Sequence, residues 1–255
     1  MSGSILGKLV SKTLPTTDLF SAIIVSTVML LVLTLLNLPV SLSNSTVGAF
    51  IGVALASSTA IKVSALVEIF ASWVVVPFAC AVLSFGVYEI ASRFEQNRPL
   101  VSAIRANRIA LVIVVFFVSF MLGANNLGLI QSFAAAGTTN TLALDLLELL
   151  LFGSSAIGIF LFGKKLAGIV GDKIVGLSQI KTFAAMLSAA TVIMVLTALS
   201  IPVSLTQVII GGMLGAGMTR RPWAINSREI RVLILGWTLV TLVSAGLGFL
   251  VSRLA

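Results

Sequence analysis

Two short stretches decide the fold of this chain, Asn37-Leu-Pro-Val-Ser-Leu-Ser-Asn44 and Ser200-Ile-Pro-Val-Ser-Leu-Thr-Gln207. Each interrupts a long apolar run with a proline that is followed by hydroxyl-bearing residues. Proline cannot continue a helix hydrogen-bond ladder, so one helix should end before it and another should begin after it. The sequence therefore predicts two broken, re-entrant helices.

The composition around these stretches is that of a membrane protein. Hydrophobic residues make up 58% of the 255 residues and charged residues only 9%, whereas soluble domains are ~25% charged. Several apolar runs reach the ~20 residues that a helix needs to cross the hydrocarbon core. We predict an all-α, polytopic, multi-pass protein of the cell membrane, with the lipid bilayer as its surroundings.

The charged and reactive residues narrow the function classes. The net charge is +8, but the basic residues form short clusters between apolar runs, which indicates membrane topology and no nucleic-acid partner. There is no histidine, and Cys80 is the single cysteine. These absences argue against a histidine proton relay, a histidine-ligated metal, a Ser-His-Asp hydrolase and an internal disulfide. We expect no enzyme activity, no catalytic residues, no metal site and no cofactor.

The two proline stretches belong to an internal duplication. Pro202 follows Pro39 by 163 residues, and the same offset pairs five identical residues: Val40/Val203, Ser41/Ser204, Leu42/Leu205, Gly48/Gly211 and Gly52/Gly215. Duplicated halves of transporters commonly have inverted topology, with a substrate site where broken helices meet near the bilayer midplane. We predict a first repeat over 1–95, a basic connecting loop over 96–108 and a second repeat over 109–255, which together form one membrane domain.

The first repeat is shorter than the second. About 55 residues precede Gly163-Lys-Lys in the second repeat, and almost none precede Gly7-Lys8 in the first. The first repeat is therefore expected to lack its leading helices. Three explanations stay open: loss in evolution, a start placed too late, or a second subunit that supplies the helices. The expected protein partner is either a second copy of this chain, in a homodimer, or such a subunit.

The hydroxyl residues after each proline predict an anion site. Ser41, Ser43, Ser204 and Thr206 lie where a half-helix begins, so unpaired backbone N–H groups and the positive end of the helix dipole are close by. Two such helix starts, facing each other across a pseudo-two-fold axis, would surround a tetrahedral oxyanion such as phosphate or sulfate. The paired glycines have a spacing that permits close helix contact behind this site.

Other polar residues within apolar sequence are candidates for ion binding. Asn125 and Asn126 either coordinate an ion or substrate or bridge two helices. Of three acidic residues in or beside the apolar runs, Glu68 and Asp145 are expected at the membrane interface. Glu148 lies deeper in its run and is predicted to be a cation ligand or proton acceptor.

Four motifs, taken in order, resemble those of the inorganic phosphate transporter (PiT) family of secondary anion carriers: Leu38-Pro-Val-Ser-Leu-Ser-Asn44, Gly123-Ala-Asn-Asn126, Gly163-Lys-Lys-Leu-Ala and Ile201-Pro-Val-Ser-Leu-Thr-Gln207. Members carry Gly-Ala-Asn-Asp and Pro-Val-Ser-Thr-Thr-His type motifs in each of two inverted repeats. The resemblance covers nearly the whole chain and is carried by the ordered set, since each motif alone is weak.

This resemblance implies sodium- or proton-coupled uptake of phosphate, with sulfate in some members. It implies a substrate site that includes Ser41, Ser43, Ser204, Thr206 and Asn125. The chain departs from the family pattern at Asn126, which replaces the motif's Asp, at Leu129, which replaces a second Asn, and at Asn44 and Gln207, which replace the His. The candidates for cation coupling are Asn126, Glu148, Asn44 and Gln207.

Three alternatives accompany phosphate symport. A sulfate permease would have the same fold. A partial transporter acting as a subunit would explain the short first repeat. A membrane lipid-phosphate phosphatase also holds phosphate with serine-rich repeats, but it would need a histidine or clustered glutamates near the serines, and the sequence provides neither.

Overall fold

The structure of this chain, a computed structural model, describes residues 15–36, 41–96, 99–137, 140–173, 178–199, 201, 203–219 and 227–254. These residues form eight helices: α1 (Thr16–Leu35), α2 (Leu42–Ala56), α3 (Val63–Gln96), α4 (Leu100–Gly137), α5 (Thr141–Lys173), α6 (Gln179–Ala198), α7 (Leu205–Met218) and α8 (Ser227–Leu254). The prediction of an all-α protein is confirmed.

Six of these helices contain apolar stretches long enough to cross a membrane, and α2 and α7 are the two shorter apolar helices of the described part of the chain. Helix α2 has 15 residues, so it is about 22 Å long at ~1.5 Å per residue. That length is less than the ~30 Å of the hydrocarbon core. The predicted multi-pass membrane protein with two broken helices is confirmed, and α2 and α7 are called the half-helices below.

Each half-helix follows a membrane-length helix after a break at the expected place. Helix α1 ends at Leu35 and α2 begins after its N-cap Ser41. Helix α6 ends at Ala198 and α7 begins after its N-cap Ser204. In both cases the two helices pack against each other as the arms of a hairpin. The prolines of the two motifs, Pro39 and Pro202, lie outside the described residues.

Two segments predicted to be irregular are helical, and those predictions are wrong. The predicted connecting loop over 96–108 is helical from Leu100 onward, because Pro99 precedes the helix and its carbonyl accepts the first hydrogen bond, from Ala103 N at 3.0 Å. The stretch Ala134-Ala-Ala-Gly-Thr-Thr-Asn140 is rich in small and hydroxyl-bearing residues, from which the sequence predicts a loop or an unwound turn, but it is helical as far as Gly137. Three consecutive alanines start that segment, and alanine has the strongest helix propensity.

The chain divides into two compact units that are interleaved in sequence. Unit 1 takes its described residues from 1–68, 126–170 and 230–255, and unit 2 takes them from 69–125 and 171–229. Unit 1 therefore combines the hairpin α1–α2 with most of α8. Unit 2 combines the hairpin α6–α7 with most of α3 and the first part of α4.

Glycines let each half-helix pack closely against a long helix that is distant in sequence: α2 against α8, and α7 against α3. In unit 1, a Cβ added at Gly48 would overlap the Thr241 carbonyl oxygen of α8, and one added at Gly52 would overlap that of Ala245. In unit 2 the equivalent overlaps are Gly211 with Pro77 of α3 and Gly215 with Ala81 of α3. The close helix contact predicted from the glycine spacing is thus present in both units.

Candidate functional site

The half-helix of unit 1 begins at a buried serine cap. Ser41 has extended backbone angles (φ −111°, ψ 126°) and its Oγ accepts a hydrogen bond from the backbone N of Asn44 at 3.4 Å. Its carbonyl accepts the first intrahelical bond, from Ser45 N at 3.2 Å. Serine is favoured at this position because its short side chain can reach back to the third N–H of the helix.

The half-helix of unit 2 begins in the same way. Ser204 (φ −78°, ψ 108°) accepts from the backbone N of Gln207 at 3.4 Å, and its carbonyl accepts from Val208 N at 3.1 Å. Its Oγ lies 3.2 Å from Thr206 Oγ1. The duplicated sequence therefore forms a duplicated local structure, as the pairing of Ser41 with Ser204 predicts.

Both helix starts have the electrostatics of an anion site. The first backbone N–H groups of a helix have no intrahelical acceptor, and the aligned peptide dipoles place roughly half a positive charge at that end. Ser41 is 4% exposed and Ser204 is fully buried, so this positive potential is weakly screened by water. An oxyanion is the ligand that such a position favours.

The other predicted substrate residues have different surroundings. Ser43 is buried in the first turn of α2, and Thr206 is half-buried in the first turn of α7. Asn125 is buried on α4, and its Nδ2 donates to Thr197 Oγ1 at 2.9 Å. Since Thr197 is in the last turn of α6, this bond joins Asn125 to the hairpin of unit 2. Helix bridging, one of the two interpretations of this asparagine, is therefore observed.

Four residues were predicted to couple a cation. Asn44 and Gln207 are buried in the first turns of the two half-helices, and each has a side-chain carbonyl oxygen without a hydrogen-bond partner among the described residues. Asn126 is half-buried on α4. Glu148 is exposed on α5, in a 21-residue apolar stretch whose side chains are not buried within the protein. Glu68 and Asp145 are exposed too.

One buried carboxylate was missed from the sequence. Asp18, in the first turn of α1, is 8% exposed and accepts hydrogen bonds from Ser57 Oγ and, at 2.8 Å, from Ser252 Oγ. It therefore joins the start of α1 to the end of α2 and the end of α8. The available signal was an acidic residue three positions after Pro15, which marks a helix N-terminus. Among the described residues, no group of three acidic or cysteine side chains could hold a metal ion.

Comparison with known proteins gives consistent matches along the chain. The sequence matches the profile described as the Phosphate transporter family over residues 2–109 and 100–248. It is 27% identical over 254 residues to a protein of Methanocaldococcus jannaschii named as a candidate phosphate permease, covering 99% of this chain and 81% of that protein. It is also 27% identical to the sulfate permease CysP of Bacillus subtilis, covering 86% of this chain and 62% of that protein.

A solved structure has the same fold. The chain superposes on a structure entitled the sodium-dependent phosphate transporter with a TM-score of 0.83, at 21% identity, covering 99% of this chain and 84% of the other. The chain therefore shares the fold of that protein.

Proposed function

Because the chain belongs to the phosphate transporter family, we propose that it carries inorganic phosphate across the membrane by symport with a cation, sodium or a proton. The observation that supports this proposal is the pair of buried half-helix starts. Ser41 and Ser204 begin two short helices inside a largely apolar protein, and each start combines hydroxyl groups with backbone N–H groups. We propose Ser41, Ser43, Ser204, Thr206 and Asn125 as the residues that bind the anion.

Coupling to a cation follows from the energetics of moving an anion. Each elementary charge that crosses a 100 mV membrane potential costs or releases about 2.3 kcal/mol, and uptake into a negative interior is uphill for phosphate. A co-transported sodium ion or proton offsets this cost. Oxygen ligands suit sodium, and the candidates that offer them are the amide oxygens of Asn44, Gln207 and Asn126 and the carboxylate of Glu148.

Labelled phosphate uptake into proteoliposomes that contain the purified chain tests this proposal. We expect saturable uptake that increases with an imposed sodium or proton gradient, and the effective gradient identifies the coupling ion. Vesicles without protein, and vesicles with dissipated gradients, are the controls. Folded and inserted protein that takes up no phosphate under either gradient would contradict the proposal and would favour the partial-transporter alternative.

Sulfate is the second candidate substrate. The similarity to a protein named as a sulfate permease favours it, and helix N-termini bind sulfate and phosphate alike. Labelled sulfate in the same uptake experiment separates the two substrates.

A further inference from the structure

Besides three unpartnered hydroxyls, each unit contains, at equivalent positions, a buried amide oxygen and a buried indole N–H that lack partners among the described residues. In unit 1 they are Asn44 Oδ1 and Trp237 Nε1, and in unit 2 they are Gln207 Oε1 and Trp73 Nε1; none of these atoms has a hydrogen-bond partner among the described residues. Asn44 is 1% exposed and Gln207 is 4% exposed. A buried polar atom without a partner is destabilising, so the repetition of this acceptor and this donor in both units indicates a ligand.

The donor and the acceptor of each unit lie at the same level of the helix packing. In unit 1 the two residues that carry them are joined by another bond: Asn44 Nδ2 donates to the Trp237 backbone carbonyl at 3.4 Å. One turn further along, Gly48 meets Thr241. In unit 2 the same register holds: Gly211, one turn after Gln207, meets Pro77, one turn after Trp73.

The amide oxygens also lie next to the anion-binding helix starts. Ser41 caps the backbone N–H of Asn44, and Ser204 caps that of Gln207. The Cα–Cβ bond of a helical residue tilts toward the helix N-terminus, which is the end at which both serine caps lie. A hydrogen-bond acceptor is an unexpected group beside an anion site, because a fully ionised anion has no hydrogen that it could donate.

Hydrogen phosphate supplies the missing complement and sulfate does not. Hydrogen phosphate carries a P–OH group, which donates, together with anionic oxygens, which accept. Sulfate carries only acceptors at neutral pH. Sites built to bond a substrate hydroxyl reject analogues that lack it, because the buried protein group is then left unpaired.

From this arrangement we propose that the amide of each half-helix, Asn44 in unit 1 and Gln207 in unit 2, selects hydroxyl-bearing tetrahedral anions by accepting a hydrogen bond from a P–OH group at its own helix start. The indole N–H of the same unit, that of Trp237 or Trp73, donates to an anionic oxygen. The proposal rests on phosphate transport as the proposed function and adds a specificity device to it. It assigns to the amides a role in anion selection in place of cation coupling.

Competition between four anions tests selection in the unmodified protein. Phosphate and arsenate carry a hydroxyl, whereas sulfate and monofluorophosphate do not, and at mildly alkaline pH all four are predominantly divalent. Unlabelled arsenate should displace labelled phosphate about as well as phosphate does. Sulfate and monofluorophosphate should be at least roughly tenfold weaker, which corresponds to ~1.4 kcal/mol. Equal displacement by all four anions would overturn the selection proposal and leave phosphate transport standing.

A variant pair identifies the amide. Gln207→Met removes the acceptor at similar size, and Gln96→Met is the matched control, since Gln96 is exposed at the end of α3. We expect Gln207→Met to weaken phosphate binding about five- to tenfold and to leave sulfate binding unchanged. Asn44→Leu should have the same effect in unit 1. Equal loss for both anions would assign the amides to packing or cation binding, and no loss would mean that water satisfies the oxygen; either result overturns the proposal. A wild-type protein that binds no phosphate would overturn the transport proposal as well.

Discussion

At the scale of single residues, the site depends on which polar atoms are already paired and which are not. Ser41 and Ser204 use their hydroxyl oxygens to cap their own helices, so these oxygens organise the helix start. The Ser204 hydroxyl also shares a hydrogen bond with Thr206 Oγ1, in which either group can donate. Asn125 uses its amide nitrogen to hold Thr197. The side chains that we propose to bind the anion therefore also position the helices.

Asn126 is the residue at which this chain departs most from the motif that it resembles. Replacing Asn126 with Asp restores a carboxylate on α4, and a carboxylate binds sodium more strongly than a neutral amide because it adds a full negative charge. We expect Asn126→Asp to increase the sodium dependence of phosphate uptake, measured as initial rate against sodium concentration.

The control for this prediction is Asn140→Asp. Asn140 is exposed and caps the start of α5 through its Oδ1, which accepts from Leu142 N at 3.1 Å, and an aspartate caps equally well. An unchanged sodium dependence in Asn126→Asp would place cation coupling elsewhere in the chain.

At the scale of helices, the half-helices depend on backbone contact with a longer helix. The glycines that make this contact have no Cβ, so the carbonyls of α8 and α3 can approach them closely. Each half-helix is too short to span the bilayer, and packing covers much of its surface: twelve of the fifteen residues of α2 are buried. Buried helix sides keep the polar first turn away from lipid, where unsatisfied backbone groups are not tolerated.

A methyl group at one of these glycines should separate the helices. Gly215→Ala would overlap the Ala81 backbone, whereas Gly86→Ala on α3 has no atom within 4 Å and serves as the control. Overpacking typically costs 1–3 kcal/mol, and rigid backbone contacts belong at the upper end of that range. Thermal unfolding in detergent should show a clear decrease for Gly215→Ala and almost none for Gly86→Ala; equal decreases would contradict the close contact.

Asp18 connects three helices, and its removal should loosen them together. Asp18→Asn keeps one acceptor and presents an NH₂ group to a serine hydroxyl that now donates to a carboxylate oxygen. We expect a loss of about 1–3 kcal/mol in the free energy of unfolding. Asp145→Asn, at an exposed position, should change unfolding very little. If the two variants unfold alike, the Asp18 cluster does not stabilise unit 1.

Local sequence patterns predicted which helices and breaks are present better than they predicted where the helices begin and end. The two breaks were predictable because proline acts on its own neighbours, and the membrane-length helices were predictable because hydrophobicity is summed over a window. The start of α4 within the predicted loop was not predictable, because polar residues such as Arg105 and Asn107 are common in loops but are also compatible with a helix. In the structure Asn107 Nδ2 donates to Glu95 Oε1 at 2.8 Å, a contact that the sequence does not show. Asp18 was missed because its serine partners are 39 and 234 residues away in sequence.

At the scale of the whole molecule, each hairpin packs on a long helix that belongs to the other predicted repeat. The hairpin near the start of the chain packs on α8 near its end, and the hairpin of the second half packs on α3. The offset that pairs the serine caps also pairs Asp18 with Lys181. Lys181 donates to the Gly217 carbonyl at 3.5 Å and lies 5.5 Å from the centre of the Tyr88 ring. Each unit therefore contains a hairpin with a serine-capped half-helix. The two units differ in the charge near the start of the hairpin, where one has Asp18 and the other has Lys181. The duplication and its boundaries remain a prediction from the sequence.

If both units contribute to phosphate binding, the stability of the whole chain should report it. A ligand at a hundred times its Kd stabilises the folded protein by about 2.7 kcal/mol, so phosphate should raise the unfolding temperature of the purified protein, while chloride at equal ionic strength should not. Ser41→Ala in unit 1 and Ser204→Ala in unit 2 should each shift this effect to higher phosphate concentration, because each removes a hydroxyl donor and a helix cap from a buried helix start.

Ser119→Ala is the control for both variants, since Ser119 is exposed on α4 and bonds only its own helix, at the Val115 carbonyl. A loss in one serine variant alone would assign phosphate to one unit and contradict a binding site duplicated with the sequence. Equal stabilisation of all four proteins would move phosphate away from the half-helices altogether. A loss in both variants, with Ser119→Ala unchanged, is the result expected if phosphate binding depends on the helix start of each unit.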